Sequence, residues 1–447
     1  MPRRPFRRRH LLPVAWLALG AAVISSACGQ STPSASVLAS PTVSPIASAP
    51  PQSPPPQSSS PSASAATASV DPASAAIYDA VEEQVVAIRG LKPSRPVERQ
   101  IITEAELRVL ITEQFDEDTP PAYLEATDRL YKALGLIPAT DDLRDLTLDL
   151  LSGGVAGFYR SDEGKLYVVS KTGAPGATER FYFAHEYDHA LQDQNFTVFK
   201  DQDGVLDQGD RMLARAAVYE GDATLLMTEW GGANLTQEEL LAVISSSSDP
   251  DVQAVLDKTP AILRDTLTFP YTTGFGFVLP IQTAGGWPAV DALFEKMPVS
   301  TEQILHADKY TAGEAPVDVT LPADLASRLG SGWSVPLQDT FGEFQLGIWL
   351  RENGVAGPDA SAAAAGWGGD RLAVVEGPDG AWAVAIHTVW DSEADAAAFE
   401  DAATTALKTA GGFAQVLPGD GGTDRWILVA DDAATAGTVA PALGLAG

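Results

Sequence analysis

Between Gly29 and Val70 the chain carries no Asp, Glu, Lys or Arg, and it is built almost wholly from Ser, Pro, Ala and Thr. No other feature limits the fold as sharply. Such a stretch cannot bury enough apolar area to offset its chain entropy. Residues 29–71 therefore read as a disordered, extended Ser/Pro/Ala-rich tether. The folded part begins near Pro72 and is long enough for at least one sizeable core.

Ahead of the tether, residues 1–28 read as an export signal: five arginines, an apolar run from Leu11 to about Ala27, then Cys28. The run falls short of a comfortable bilayer span, and Pro13 and Gly20 weaken it as a permanent anchor. Cys28 stands where a bacterial lipoprotein signal places its lipid-modified cysteine, although Ser25 replaces the usual Leu. Cleavage after Ala27 is the other reading. The first makes the protein a cell-surface lipoprotein held to the membrane at Cys28; the second makes it secreted. "RRHLL" also resembles a twin-arginine export signal. Cys28 is the sole cysteine, so no internal disulfide is available and packing must hold the fold. The formal net charge of −30 becomes −35 once the five leader arginines are set aside, which argues against nucleic acid as a partner.

From Pro72 to Ile137 the apolar spacing is helical, with a capping-box pattern at Thr103 and Glu106. Val155 to Val169 reads as a β-hairpin around "SDEG". A helix follows with Thr178 as its cap, and a second strong helix runs from about Asp210 to Trp230. Gly221 inside it implies close packing, since Gly there costs about 1 kcal/mol relative to Ala. "FPYTTGFGFVLPIQTAGGW" is expected to begin as a loop, and Asp339 to Asn353 to form a late helix. The last eighty or so residues alternate strands and helices as a compact α+β unit. The expected fold is α+β: a mostly helical core over 72–335, with a hairpin before the central helix, then a C-terminal helix and α+β unit over 336–447.

The central helix carries "HEYDHALQDQ", His185 to Gln194. Residues four apart share a helix face, so His185 and His189 can bind one Zn2+ at adjacent tetrahedral corners. Glu186 lies about 100° further round the helix. There it can take a proton from a water activated by the metal and pass it to a leaving amine. The bland reading is a hydrogen-bonded histidine pair on a structural helix. A catalytic zinc needs a third protein ligand. Glu220 in "VYEGDATLL" is the best candidate, with Asp222 as rival; the small residues Ala216, Ala217, Gly221 and Ala223 would let the two helices approach.

His185-Glu186-x-x-His189 with Glu220 about thirty residues on resembles the gluzincin arrangement of thermolysin-like zinc metallopeptidases. "HEYDHALQDQNF", "EGDAT" and "TEQILHADKY" together resemble a group of secreted bacterial zinc metallopeptidases, over roughly residues 75 to 390. The resemblance implies zinc held by His185, His189 and Glu220, Glu186 as general base, and a peptide or protein substrate. It implies that "KLYVVS" (Lys165 to Ser170) is an edge strand pairing with substrate backbone. It also makes His306 and Tyr271 candidates for stabilising the developing oxyanion. His387 reads as structural. Two departures stand out. Thr224 replaces an Asp that often supports a zinc histidine, leaving Asp222 or Asp193 to do so, and Asp188 adds charge inside the motif. They motivate an alternative, a catalytically inactive peptidase fold that binds peptides or cell-wall material.

Overall fold

The computed structural model describes residues 72–152, 157–169, 175–196, 206–246 and 250–445. The export signal, Cys28 and the tether lie outside the described residues, as do Val155 and Ser170. The fold is α+β, with a mostly helical core and a C-terminal sheet unit.

The core opens with α1 (Pro72–Arg89), β1 (Glu98–Ile102), α2 (Glu104–Asp118), α3 (Pro121–Ala133) and α4 (Leu143–Ser152). The Thr103/Glu106 capping box closes the start of α2 as expected. The wholly helical reading of this region needs correction, because β1 pairs in parallel with β3 (Lys165–Val169). Its five residues carry too little pattern to signal a strand alone; the partner strand completes the hydrogen bonding. β2 (Gly157–Arg160) and β3 form the expected antiparallel hairpin. The sheet order is β1-β3-β2. β3 is thus central, paired on both sides, rather than the edge strand expected at Lys165 to Ser170; the edges are β1 and β2.

α5 (Ala177–Asn195) carries the histidines. Thr178 lies inside it rather than capping it. Gly176 is the N-cap, and the Glu179 carboxylate accepts the Gly176 N–H at 3.1 Å. Phe181 through Gln192 are buried without interruption, so α5 is a core helix on every face. α6 (Gly209–Asn234) runs beside it, followed by α7 (Gln237–Ser246), α8 (Pro250–Lys258) and α9 (Ala261–Gly285). α9 overturns the loop expected at "FPYTTGFGF": it stays helical through Pro270 and Pro280. An interior Pro costs about 3 kcal/mol, and close packing against α6 offsets this. A Cβ on Gly221 would lie 2.5 Å from the Gly274 carbonyl carbon, and one on Gly274 would lie 2.2 Å from the Ala217 oxygen. Gly221 and Ala217 of α6 therefore admit α9, while Ala223 lies toward α5, where its backbone acts on His185.

α10 (Trp287–Glu295), α11 (Thr301–Leu305), α12 (Ala307–Ala312) and α13 (Leu325–Leu329) lead to the C-terminal unit. It comprises β4 (Ser334–Asp339), α14 (Gly342–Glu352), α15 (Gly357–Ala364), β5 (Trp367–Glu376), β6 (Trp382–Trp390), α16 (Glu393–Ala406), β7 (Phe413–Pro418), β8 (Asp424–Ala430) and α17 (Ala433–Leu443). Its antiparallel sheet has the order β4-β5-β6-β8-β7. Leu372, Val374, Val384 and Ile386 face one cluster, which includes α14, α16 and Leu130 of α3. Ala373, Val375, Ala383 and Ala385 face the other, with α13 and α17. The two-residue period puts these sets on opposite faces. Among the described residues no helix is long and apolar enough to cross a membrane.

Candidate metal centre

A helix that buries every face must satisfy its polar side chains internally. On α5 this falls to His185, Glu186, Asp188, His189 and Gln192, all buried. His185 and His189 turn their Nε2 atoms to each other at 3.0 Å. Glu220 Oε2 on α6 lies 3.1 Å from His185 Nε2 and 3.3 Å from His189 Nε2. These three side chains form a set of potential ligand atoms within 4.8 Å of one another. Metal–ligand bonds of about 2.0–2.1 Å in a tetrahedron place neighbouring ligand atoms about 3.3 Å apart. The residues therefore fit one zinc ion in distance and in donor type.

The charges within the cluster agree with a cation site. Burial acts to raise Glu220, but His189 and the hydrogen bonds from both histidines outweigh it and bring its pKa down to about 2. Burial acts to lower His189, but Glu220 lifts it to about 10. Burial holds His185 below its usual value.

Second contacts orient the histidines. His189 Nδ1 meets Gln192 Oε1 at 3.0 Å. His185 Nδ1 is buried without a well-formed hydrogen bond, and the Ala223 backbone is the polar group acting on it. Gln192 Nε2 donates to Asp222 Oδ2 at 3.0 Å, so Asp222 supports His189 at one remove and is not a ligand. Asp193 serves the hairpin, accepting the Tyr159 hydroxyl at 2.8 Å and Arg95 Nη2 at 2.9 Å. Asp188 points toward Arg89 and accepts from Gln192 at 3.2 Å, away from the ligand atoms. Thr224 is buried and supports none of the ligands.

Glu186 stands beside the cluster, held by the Tyr159 N–H of β2 at 3.1 Å. Burial pushes its carboxyl up to about 8, against the pull of His189. Tyr271 reaches the site from helix α9, its ring 6.0 Å from the His185 ring. Its hydroxyl faces Glu220 without the geometry of a full hydrogen bond, and burial with the charges of Glu220 and Glu186 pushes its pKa well up.

His306 is not brought to this cluster. It sits between α11 and α12, and its Nε2 meets Glu343 Oε1 of α14 at 2.9 Å. Among the described residues no hydrogen bond or ion pair joins it to His185, His189 or Glu220. Of the two residues expected to stabilise an oxyanion, Tyr271 thus has its ring beside His185, while His306 is paired with Glu343. His387 stacks on Trp426 at 4.2 Å, as a structural histidine would. A second acidic group, Glu302, Glu314 and Asp391, already surrounds a cation: Lys309 Nζ lies 2.6, 2.9 and 2.6 Å from them. A cleft of about 1180 Å³ between α6 and the C-terminal sheet contains none of the ligand residues.

Residue-type reasoning missed Gln192, Tyr159 and Arg89. Gln192 was detectable as the third residue after His189 on the same face; the other two come from distant elements.

A family model described as "Domain of unknown function (DUF8575)" matches residues 328–441, from the last turn of α13 through most of the C-terminal sheet unit. No curated protein and no solved structure matches the chain. The metal centre thus stands on its geometry.

Proposed function

We propose that the protein is a cell-surface, zinc-dependent peptidase of gluzincin type. The observation that carries this reading is the convergence of His185, His189 and Glu220 at 3.0, 3.1 and 3.3 Å, with Glu186 beside them. His185, His189 and Glu220 would hold the zinc, which would supply Lewis acidity. Glu186 would take a proton from an attacking water and return it to the leaving nitrogen. Tyr271, next to His185, is the group available to hydrogen-bond the developing oxyanion. Substrate backbone would add along the outer edge of β2, whose Tyr159 N–H already orients Glu186. The reading of residues 1–28 as an export signal supports a site of action outside the cell, with the protein either tethered by lipid at Cys28 or secreted.

The test is metal content by mass spectrometry on purified wild type beside Glu220→Ala, with turnover of a broad peptide library. Near-stoichiometric zinc, lost in the variant, together with cleavage is the expected result. Zinc-free wild type would overturn the reading. A second reading, a non-cleaving peptide or cell-wall binder, is favoured by burial: His185, Glu186 and His189 are only 1%, 3% and 7% exposed. It gives full zinc content and no turnover.

A further inference from the structure

A zinc-binding histidine must present a lone pair on the ligating nitrogen, so its other nitrogen must carry the proton. Which nitrogen does so at His189 depends on the orientation of the Gln192 amide. The Gln192 nitrogen is surrounded by three acceptors: Tyr219 O at 3.0 Å, Asp222 Oδ2 at 3.0 Å and Asp188 Oδ2 at 3.2 Å. An amide nitrogen only donates and an amide oxygen only accepts. The nitrogen must face these acceptors, and the oxygen must face His189 Nδ1, where it lies 3.0 Å away. A flipped amide would put a donor against Nδ1 and move the proton to Nε2.

The acceptors that fix Gln192 are themselves fixed from another helix. Arg89, the last residue of α1, is 1% exposed. It grips Asp222 with two parallel bonds, Nε to Oδ1 at 3.0 Å and Nη2 to Oδ2 at 3.1 Å. Its Nε is also 3.8 Å from Asp188 Oδ1, and its Nη1 is 2.7 Å from Asp291. The Trp287 ring covers the guanidinium at 4.7 Å. Neither Lys nor a neutral side chain reproduces this planar fork.

We infer that Arg89 is a positioning residue for the metal: through Asp222 and Gln192 it sets His189 with Nε2 free to bind zinc. The inference rests on the metal reading above. It makes α1, the helix that follows the tether, part of the metal centre.

The experiment uses the full chain with Arg89→Lys, Gln192→Ala and the double variant. Zinc affinity is measured by competition with a chelating dye, and Co2+ replaces zinc for its visible absorption spectrum. Loss of such a supporting partner weakens metal binding about 10–100-fold. That loss is expected in each single variant, with little more in the double, because both act along one chain. An altered Co2+ spectrum should accompany it, while metal-free circular dichroism stays close to wild type. Wild-type zinc affinity and Co2+ spectrum in the variants would overturn the inference, as would losses that simply add. If Arg89→Lys does not fold, Gln192→Ala decides alone by the same readouts. Wild type that binds no zinc would remove the metal reading and this inference together; wild type that binds zinc beside unaffected variants removes only this inference.

Discussion

At Glu186 the packing of a core helix and the proposed chemistry meet in one residue. It is buried on a core helix, which raises its pKa, yet a backbone N–H from β2 is aimed at its carboxylate. Exchange to Gln keeps the shape and the acceptor oxygen, and Glu186 is not in the ligand set. Glu186→Gln should therefore bind zinc as wild type does while peptide turnover falls by about 10²–10⁴-fold. Metal analysis and single-turnover kinetics on the same preparation check this, and undiminished turnover would remove Glu186 as the base. The His-Glu-x-x-His spacing made these three residues legible in the chain. Gln192 showed only as a same-face neighbour of His189, and Asp222 only as a rival ligand or support, because an amide or carboxylate declares its partner only when the partner is in place.

At the scale of elements, the informative pair is α6 and α9. Gly274 and Gly221 let the two backbones meet, and this brings Tyr271 to the His185 ring. A methyl at Gly274 would strike the Ala217 carbonyl at 2.2 Å, whereas one at Gly276 meets nothing within 4 Å. Gly274→Ala should destabilise the protein by about 2–3 kcal/mol through overpacking. Gly276→Ala should be neutral or stabilise by up to about 1 kcal/mol. Urea unfolding of both variants separates the two; equal effects would mean that the close approach is not needed. Two prolines hid this helix from a reading by residue type, because local propensity says loop while the buried face against α6 decides otherwise. β1 was hidden for the matching reason: its hydrogen-bond partner lies more than sixty residues away along the chain.

The whole molecule is acidic, and part of that acidity is buried. Burial lifts Glu82, Glu302 and Asp339 to about 7, and Asp118 and Asp370 to about 6. Asp339 and Asp370 accept backbone N–H groups at the starts of α6 and α14, where the helical core joins the C-terminal sheet. A carboxyl raised in the folded state binds more protons folded than unfolded, so its contribution is full below about pH 4 and is lost as pH rises to about 7. Tm of metal-free protein should therefore be higher at pH 5.5 than at pH 8. Asp339→Asn should narrow that gap, since its Oδ1 accepts from both Gly209 and Thr340 and an amide oxygen can do the same. Calorimetry at the two pH values tests this; a Tm that rises with pH would contradict it.

The sequence by itself determined the helix that carries His185, Glu186 and His189, the hairpin before them and the alternating strands of the C-terminal unit, and it narrowed their partner to Glu220 or Asp222. Each depends on spacing within one element or on a short list of chemically able residues. Tertiary structure alone decided that β3 is central and β1 and β2 the edges, that α9 is a helix, that Glu220 rather than Asp222 meets the histidines, that His306 turns to Glu343, and that Arg89 stands behind His189. The physical reason is the same in each case. A strand's neighbours, a glycine's contact and a buried charge's partner come from residues far apart in the chain. Their energy exists only once packing has excluded water between them.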